Sequence, residues 1–188
     1  MCVFQPRLHG KVAISHAFVL GDGGGVSSSE LADLDAALAE AGVAIMTTGA
    51  LGLGSIQRLT SAGVRVFFGN DNCYDFWCGV DGQAGDLRQL GLHDNESANA
   101  APDMLRRAAA VGAAQRSDES VATELLRLAT VAVGEVTGLG GGQLSPGARA
   151  DFVLVAAGSL VEALTGFDQP RAVFRAGQRL LFAPASAL

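Results

Sequence analysis

Three short apolar stretches decide the fold: KVAIS at 11–15, VAIMT at 43–47 and VRVFF at 64–68. Each is rich in β-branched or aromatic residues and too short for a helix, so each reads as a buried strand. Helix signals lie between them. Ser27, Ser28, Ser29 and Glu30 supply a serine cap and an early acid, and Leu31, Leu34, Leu38 and Ala41 repeat at helical spacing up to Gly42. Residues 55–62 form a second helix, with Ile56 and Leu59 on one face and Gly63 as the stop. Strand, helix, strand, helix, strand with short connections is the grammar of a parallel sheet in an α/β fold. His16 ends the first strand. The third leads into Gly69-Asn70-Asp71-Asn72. Active sites of α/β barrels and open α/β sheets are built just past the carboxyl ends of strands.

The rest of the chain is organised around two more helices and a few strands. Residues 75–102 are polar and irregular, which suits a lid or an insertion, and 83–102 carry no readable pattern. Residues 103–115 and 117–138 read as helices, the second capped by Ser117 and led by Asp118 and Glu119. A Gly/Pro turn region at 139–150 precedes strands at 151–155, 171–175 and 180–182, the last two joined by a turn at Ala176-Gly177.

Composition narrows the function classes. The 188 residues suffice for one domain with a real core, and 49% of them are hydrophobic, as expected where strands are buried on both faces. The net charge of −6 argues against a nucleic-acid partner. No apolar run is long enough to span a bilayer, and the start lacks a signal-peptide pattern. Cys2, Cys73 and Cys78 make no disulfide framework. A soluble cytoplasmic protein is the expectation.

His16 alone would be an ordinary hydrogen-bonded strand-end residue, and Asp71 alone a turn or helix cap. Together, an imidazole and a carboxylate at one edge of one sheet suit metal binding and proton transfer. Other features read more plainly. The Gly21-to-Gly25 stretch has no following Gly-Lys-Ser/Thr, and Lys11 is the only lysine, so it is a flexible loop and not a phosphate cradle. Cys73 and Cys78 are too far apart for a CxxC pair. Met104 and Leu105 read as helix core. His9 reads as solvent-exposed.

In this order KVAISHAFVLG at 11–21, AGVAIMTT at 41–48, AGVRVFFGNDNCYDFW at 62–77, DML at 103–105 and LSPGARADFVLV at 144–155 resemble the C-terminal half of the cytosine deaminase branch of the amidohydrolase superfamily. The resemblance implies part of a (β/α)₈ TIM barrel, strands six to eight with their helices, over 1–144. It implies strands of a small β-sandwich over 145–188. It implies hydrolytic deamination of cytosine or a related nitrogen heterocycle, a small-molecule substrate, with zinc or iron as cofactor. His16 takes the sixth-strand role, contacting attacking water or substrate. Asp71 takes the eighth-strand role as metal ligand and proton shuttle, and Trp77 walls the pocket. A bound divalent metal lowers the pKa of water to about 7.

Two departures from the family pattern follow. Asn72 stands where these deaminases often place a second Asp against the base, which opens other rings, a substituted triazine among them. No HxH motif occurs, and the fifth-strand His has no counterpart. His93 lies in the insertion and makes a poor rigid ligand. The expectation is that this chain alone does not hold the metal and is inactive without an N-terminal half-barrel polypeptide or a homo-oligomeric partner. The alternative is an inactive remnant or interaction module.

Overall fold

The computed structural model describes residues 8–21, 23–49, 51–69, 104–113, 118–140, 142–165 and 171–180. Three strands form a parallel sheet in the order β1 (Ala13–Ser15), β2 (Ala44–Thr47), β3 (Arg65–Phe68). Ala13 pairs with Ala44 and Ala44 with Arg65, and the register runs on to Thr47 opposite Phe68. Helix α1 (Ser28–Glu40) connects β1 to β2, and α2 (Gly52–Ser61) connects β2 to β3. This parallel β-α-β-α-β unit agrees with part of a TIM-barrel-like fold.

The local chemistry of the first helix is as expected at its start. Ser27 accepts a hydrogen bond from the Glu30 backbone while the Glu30 carboxylate accepts from the Ser27 backbone at 3.1 Å, a complete capping box. The apolar stripe, however, is rotated by one residue. Leu34 is exposed, and Asp35 takes the buried place one turn beyond Leu31.

Both helices end in the same way, at an Ala-Gly-Val run. Gly42 (φ 63°) and Gly63 (φ 87°) adopt the left-handed conformation. Their N–H groups donate to Ala39 and Thr60, while Val43 and Val64 donate to Leu38 and Leu59. These are two Schellman stops that turn each helix directly into the next strand.

Ile45, Val66 and Phe68 point to one side of the sheet and form the core with Ile56 and Leu59 of α2. Three further helices pack on the same core: α3 (Met104–Ala113), α4 (Glu119–Ala129) and α5 (Val131–Thr137). Ile56, Leu59, Leu125 and Leu128 are all at 0% exposure, each contributing about 1.5–3 kcal/mol of hydrophobic stabilisation. Met104 and Leu105 pack against this core as anticipated.

The structure corrects several sequence expectations. β1 is not buried: Ala13, Ile14 and Ser15 are exposed, Ile14 at 41%. Among the described residues β1 pairs with β2 alone, so it is an edge strand open to further pairing. The helix expected over 117–138 is two helices. Its cap is Asp118, whose carboxylate accepts from the Val121 N–H at 2.9 Å, and not Ser117. It breaks at Thr130 (φ −127°, ψ −84°), whose hydroxyl donates back to the Leu126 carbonyl at 2.7 Å. Gly142 lies directly against the Thr130 carbonyl, where a Cβ would come within 2.9 Å. The Gly-rich loop is also more compact than expected at Gly24, where a Cβ would lie 2.1 Å from the Val19 carbonyl oxygen.

At the C-terminal side, β4 (Phe152–Val155), β5 (Arg171–Arg175) and β6 (Gln178–Leu180) form an antiparallel sheet, with Phe152 stacked on Phe174 at 4.6 Å between ring centres. Helix α6 (Leu160–Thr165), not anticipated from the sequence, lies between β4 and β5. Its Leu164 is 1% exposed and joins the core of the parallel unit.

Candidate functional site

The carboxyl edge of the parallel sheet is where chemistry is expected, and His16 sits there. Its backbone N–H donates to the Met46 carbonyl at 3.0 Å, extending the β1–β2 pairing by one bond. There the strand ends abruptly. His16 has φ 69° and Ala17 φ 40°, two consecutive left-handed residues that are not glycine. The Ala17 N–H donates to the Ser15 carbonyl at 2.9 Å, so His16 is the centre of a left-handed γ-turn, the rare and strained form. Such residues cost about 1–3 kcal/mol each and persist where the surroundings over-determine them. The His16 ring is half-buried and lies 5.0 Å from the Phe18 ring, tilted by 35°.

The ends of β2 and β3 lie at the same edge of the sheet. The buried Thr47 hydroxyl accepts from the Gly49 N–H at 3.0 Å. The Gly69 N–H donates to the Thr47 carbonyl at 3.0 Å, continuing the β2–β3 ladder. Gly49 (φ 98°) faces Val111 of α3, where a Cβ would approach to 2.6 Å. At Gly69 a Cβ would lie 2.4 Å from the Met46 sulfur. Glycine at 69 therefore leaves room for Met46 beside the strand end that leads toward Asp71.

Of the residues singled out from the sequence, the structure places His16 at this edge as expected. Asp71, Asn72, Trp77, Cys73, Cys78 and His93 lie outside the described residues. His9 is exposed as expected, and its Nε2 donates to the Glu40 carbonyl at 3.0 Å, tying down the end of α1. Asp35 and Arg58 were missed. Asp35 is 2% exposed and forms an ion pair with Arg58 of α2. The signal for it was an acid in phase with Leu31 and Leu38.

The sequence profile described as the amidohydrolase family matches residues 9–180. The chain belongs to the amidohydrolase family. Among solved structures it is similar to the N-isopropylammelide isopropylaminohydrolase from Burkholderia multivorans, with 32% identity and a TM-score of 0.70 over 92% of this chain. The chain spans 40% of the length of that enzyme. No curated protein matches it. Amidohydrolases generally bind divalent metals. Among the described residues no three His, Cys, Asp or Glu side chains gather to hold a metal ion. No described helix is long and apolar enough to cross a membrane.

Proposed function

We propose that this amidohydrolase takes part in hydrolysis of a carbon–nitrogen bond on a nitrogen heterocycle, with His16 as the side chain that contacts the attacking water or the ring. The observation that carries the reading is the strained left-handed turn at His16. It sits at the carboxyl end of a parallel strand, where α/β enzymes assemble their sites. A histidine there can donate to the oxygen that develops negative charge on the ring carbon, or accept a proton from water.

The same reading assigns KVAISH to the sixth strand of a barrel, VAIMT to the seventh and VRVFF to the eighth. Asp71 is then a metal ligand, and Trp77 and Asn72 face the ring. Resemblance to cytosine deaminases favours a ring that loses an amine. The similar isopropylaminohydrolase supports amine removal as the reaction class, and Asn72 in place of a second Asp favours a ring other than cytosine.

The test is amine release. The protein is expressed in its native host, purified with any chains that accompany it, and supplied with zinc or iron. Ammonia and alkylamine are then measured from cytosine and from alkylamino heterocycles. His16→Gln is expected to lower the rate by about 10²–10⁴-fold. An unchanged rate in His16→Gln removes His16 from the mechanism. No amine from any ring refutes the reaction class.

A further inference from the structure

The turn that carries His16 is anchored from outside by a part-buried ion pair. Arg58 of α2 donates through Nη2 to the Leu20 carbonyl at 2.6 Å and through Nη1 to the Asp35 carboxylate of α1. Asp35 is 2% exposed, and its second oxygen, Oδ1, is buried with no hydrogen-bond partner among the described residues.

For simply packing α1 on α2, this is a poor arrangement. Arg58 is 30% exposed, but the buried Asp35 carboxylate keeps one oxygen unsatisfied, and such an ion pair is no better than well-packed apolar side chains of similar volume. What the pair adds is direction. The carboxylate fixes one arm of the planar guanidinium fork, and the other arm then points at the Leu20 carbonyl.

Leu20 is 4% exposed and ends a short 3₁₀ turn, Phe18–Leu20. Its N–H donates to the Ala17 carbonyl at 2.9 Å, and the Gly21 N–H donates to the Phe18 carbonyl at 2.9 Å. On the other side, the His16 N–H is fixed to Met46 of β2. The two left-handed residues are thus held between the sheet and the Arg58 anchor.

We propose that Arg58 and Asp35 are positioning residues: their ion pair clamps the Leu20 carbonyl and thereby holds His16 in its left-handed turn at the carboxyl edge of the sheet. The functional weight of this clamp rests on the reading of His16 given above. Its structural content does not.

The experiment is amide hydrogen exchange and NMR of the His16 ring protons in the full chain, so that no turnover is needed. Arg58→Lys keeps a cation for Asp35 and loses the fork. Arg58→Met combined with Asp35→Leu removes both charges at similar volume. Arg127→Met, which breaks the part-buried Arg127–Glu124 pair within α4, away from the turn, is the control.

In Arg58→Lys and in the double variant, exchange at Ala17 and Leu20 is expected to be at least about tenfold faster. The His16 ring signals should move as the ring leaves Phe18, while the Ile45 and Leu59 amides stay protected. The control should change none of these. Native protection at Ala17 and Leu20 with unmoved His16 signals in Arg58→Lys would overturn the proposal and reduce the pair to helix packing. The two readings fail separately. A loosened turn in a protein that releases no amine refutes the reaction class and leaves the clamp standing. Native turn signals in an active enzyme refute the clamp alone.

Discussion

The Arg65 guanidinium donates to the Gly10 carbonyl at 3.0 Å, and the same nitrogen also donates to the Gly42 carbonyl. Gly10 precedes β1, Gly42 precedes β2, and Arg65 itself opens β3. One side chain therefore ties the amino ends of all three parallel strands, at the edge opposite His16. The sheet divides its work: polar residues at the amino edge hold strands together, and those at the carboxyl edge are available for chemistry.

Arg65→Met tests that division. The apolar stem remains while both charge-assisted hydrogen bonds go, so the expected loss is about 1.5–3 kcal/mol of stability. A denaturant titration should show a lower midpoint with an unchanged slope. The His16 ring signals should not move. A shift in those signals would show that the two edges are coupled and that the division is wrong.

Leu164 provides a second test, because it comes from α6, between two strands of the antiparallel sheet, yet is buried in the core of the parallel unit. Leu164→Ala is expected to cost about 2–5 kcal/mol. The loss should appear in one unfolding transition shared by α3, α4 and β4–β6. Separate melting of the antiparallel sheet, with the helices unaffected, would show that residues from 145 onward fold independently.

Some of this was readable in the sequence and some was not, for identifiable reasons. β2 and β3 were legible because each apolar run starts right after a glycine helix stop. The start of α1 was legible because Ser27 and Glu30 have the spacing of a capping box. The burial of β1 was misread because composition reports what a strand can bury and its neighbours decide what it does bury. Leu34 and Asp35 differ by one residue in phase, and only the reach of Arg58 from α2 settles which faces inward. The break at Thr130 has Gly142 packed against it, a contact no local window contains. α6 was missed because a six-residue helix that buries Leu164 leaves almost no periodic signal. At the site, the strand-end place of His16 was legible and its left-handed backbone was not, since a positive φ is uncommon for any residue but glycine, even for histidine, which is enriched there. Asp71, Asn72 and Trp77, read from the sequence, lie outside the described residues.

The hairpin of β5 and β6 should be sensitive to acid. The Asp151 carboxylate accepts from the Ala176 N–H at 2.7 Å and from Arg149 Nε at 2.6 Å. The backbone bond first, and then the Arg149 bond, hold its carboxyl below the usual aspartate range. A group depressed in the folded state contributes stability that is present above its unfolded pKa and is lost as pH falls through its folded pKa. The Ala176 amide should thus stay protected at neutral pH and lose protection only below the ordinary aspartate range. Asp151→Asn should flatten that acid limb. Loss of protection near pH 6 would place the cause elsewhere.

Ala17→Gly probes the strain directly. Ala17 sits at φ 40° and ψ 42°, a left-handed conformation that costs an L-residue about 1–2 kcal/mol. Glycine removes that cost but loses more backbone entropy on folding, roughly 0.5–1 kcal/mol. The balance is a net gain of about 0.5–1 kcal/mol, an unusual sign for introducing glycine. Thermal unfolding should therefore shift upward. The same substitution relaxes the constraint that keeps the His16 turn in one geometry, so under the proposed function amine release should fall even as stability rises. A drop in stability would mean that the turn holds no strain, and the structural argument for His16 as a functional residue would lose its support.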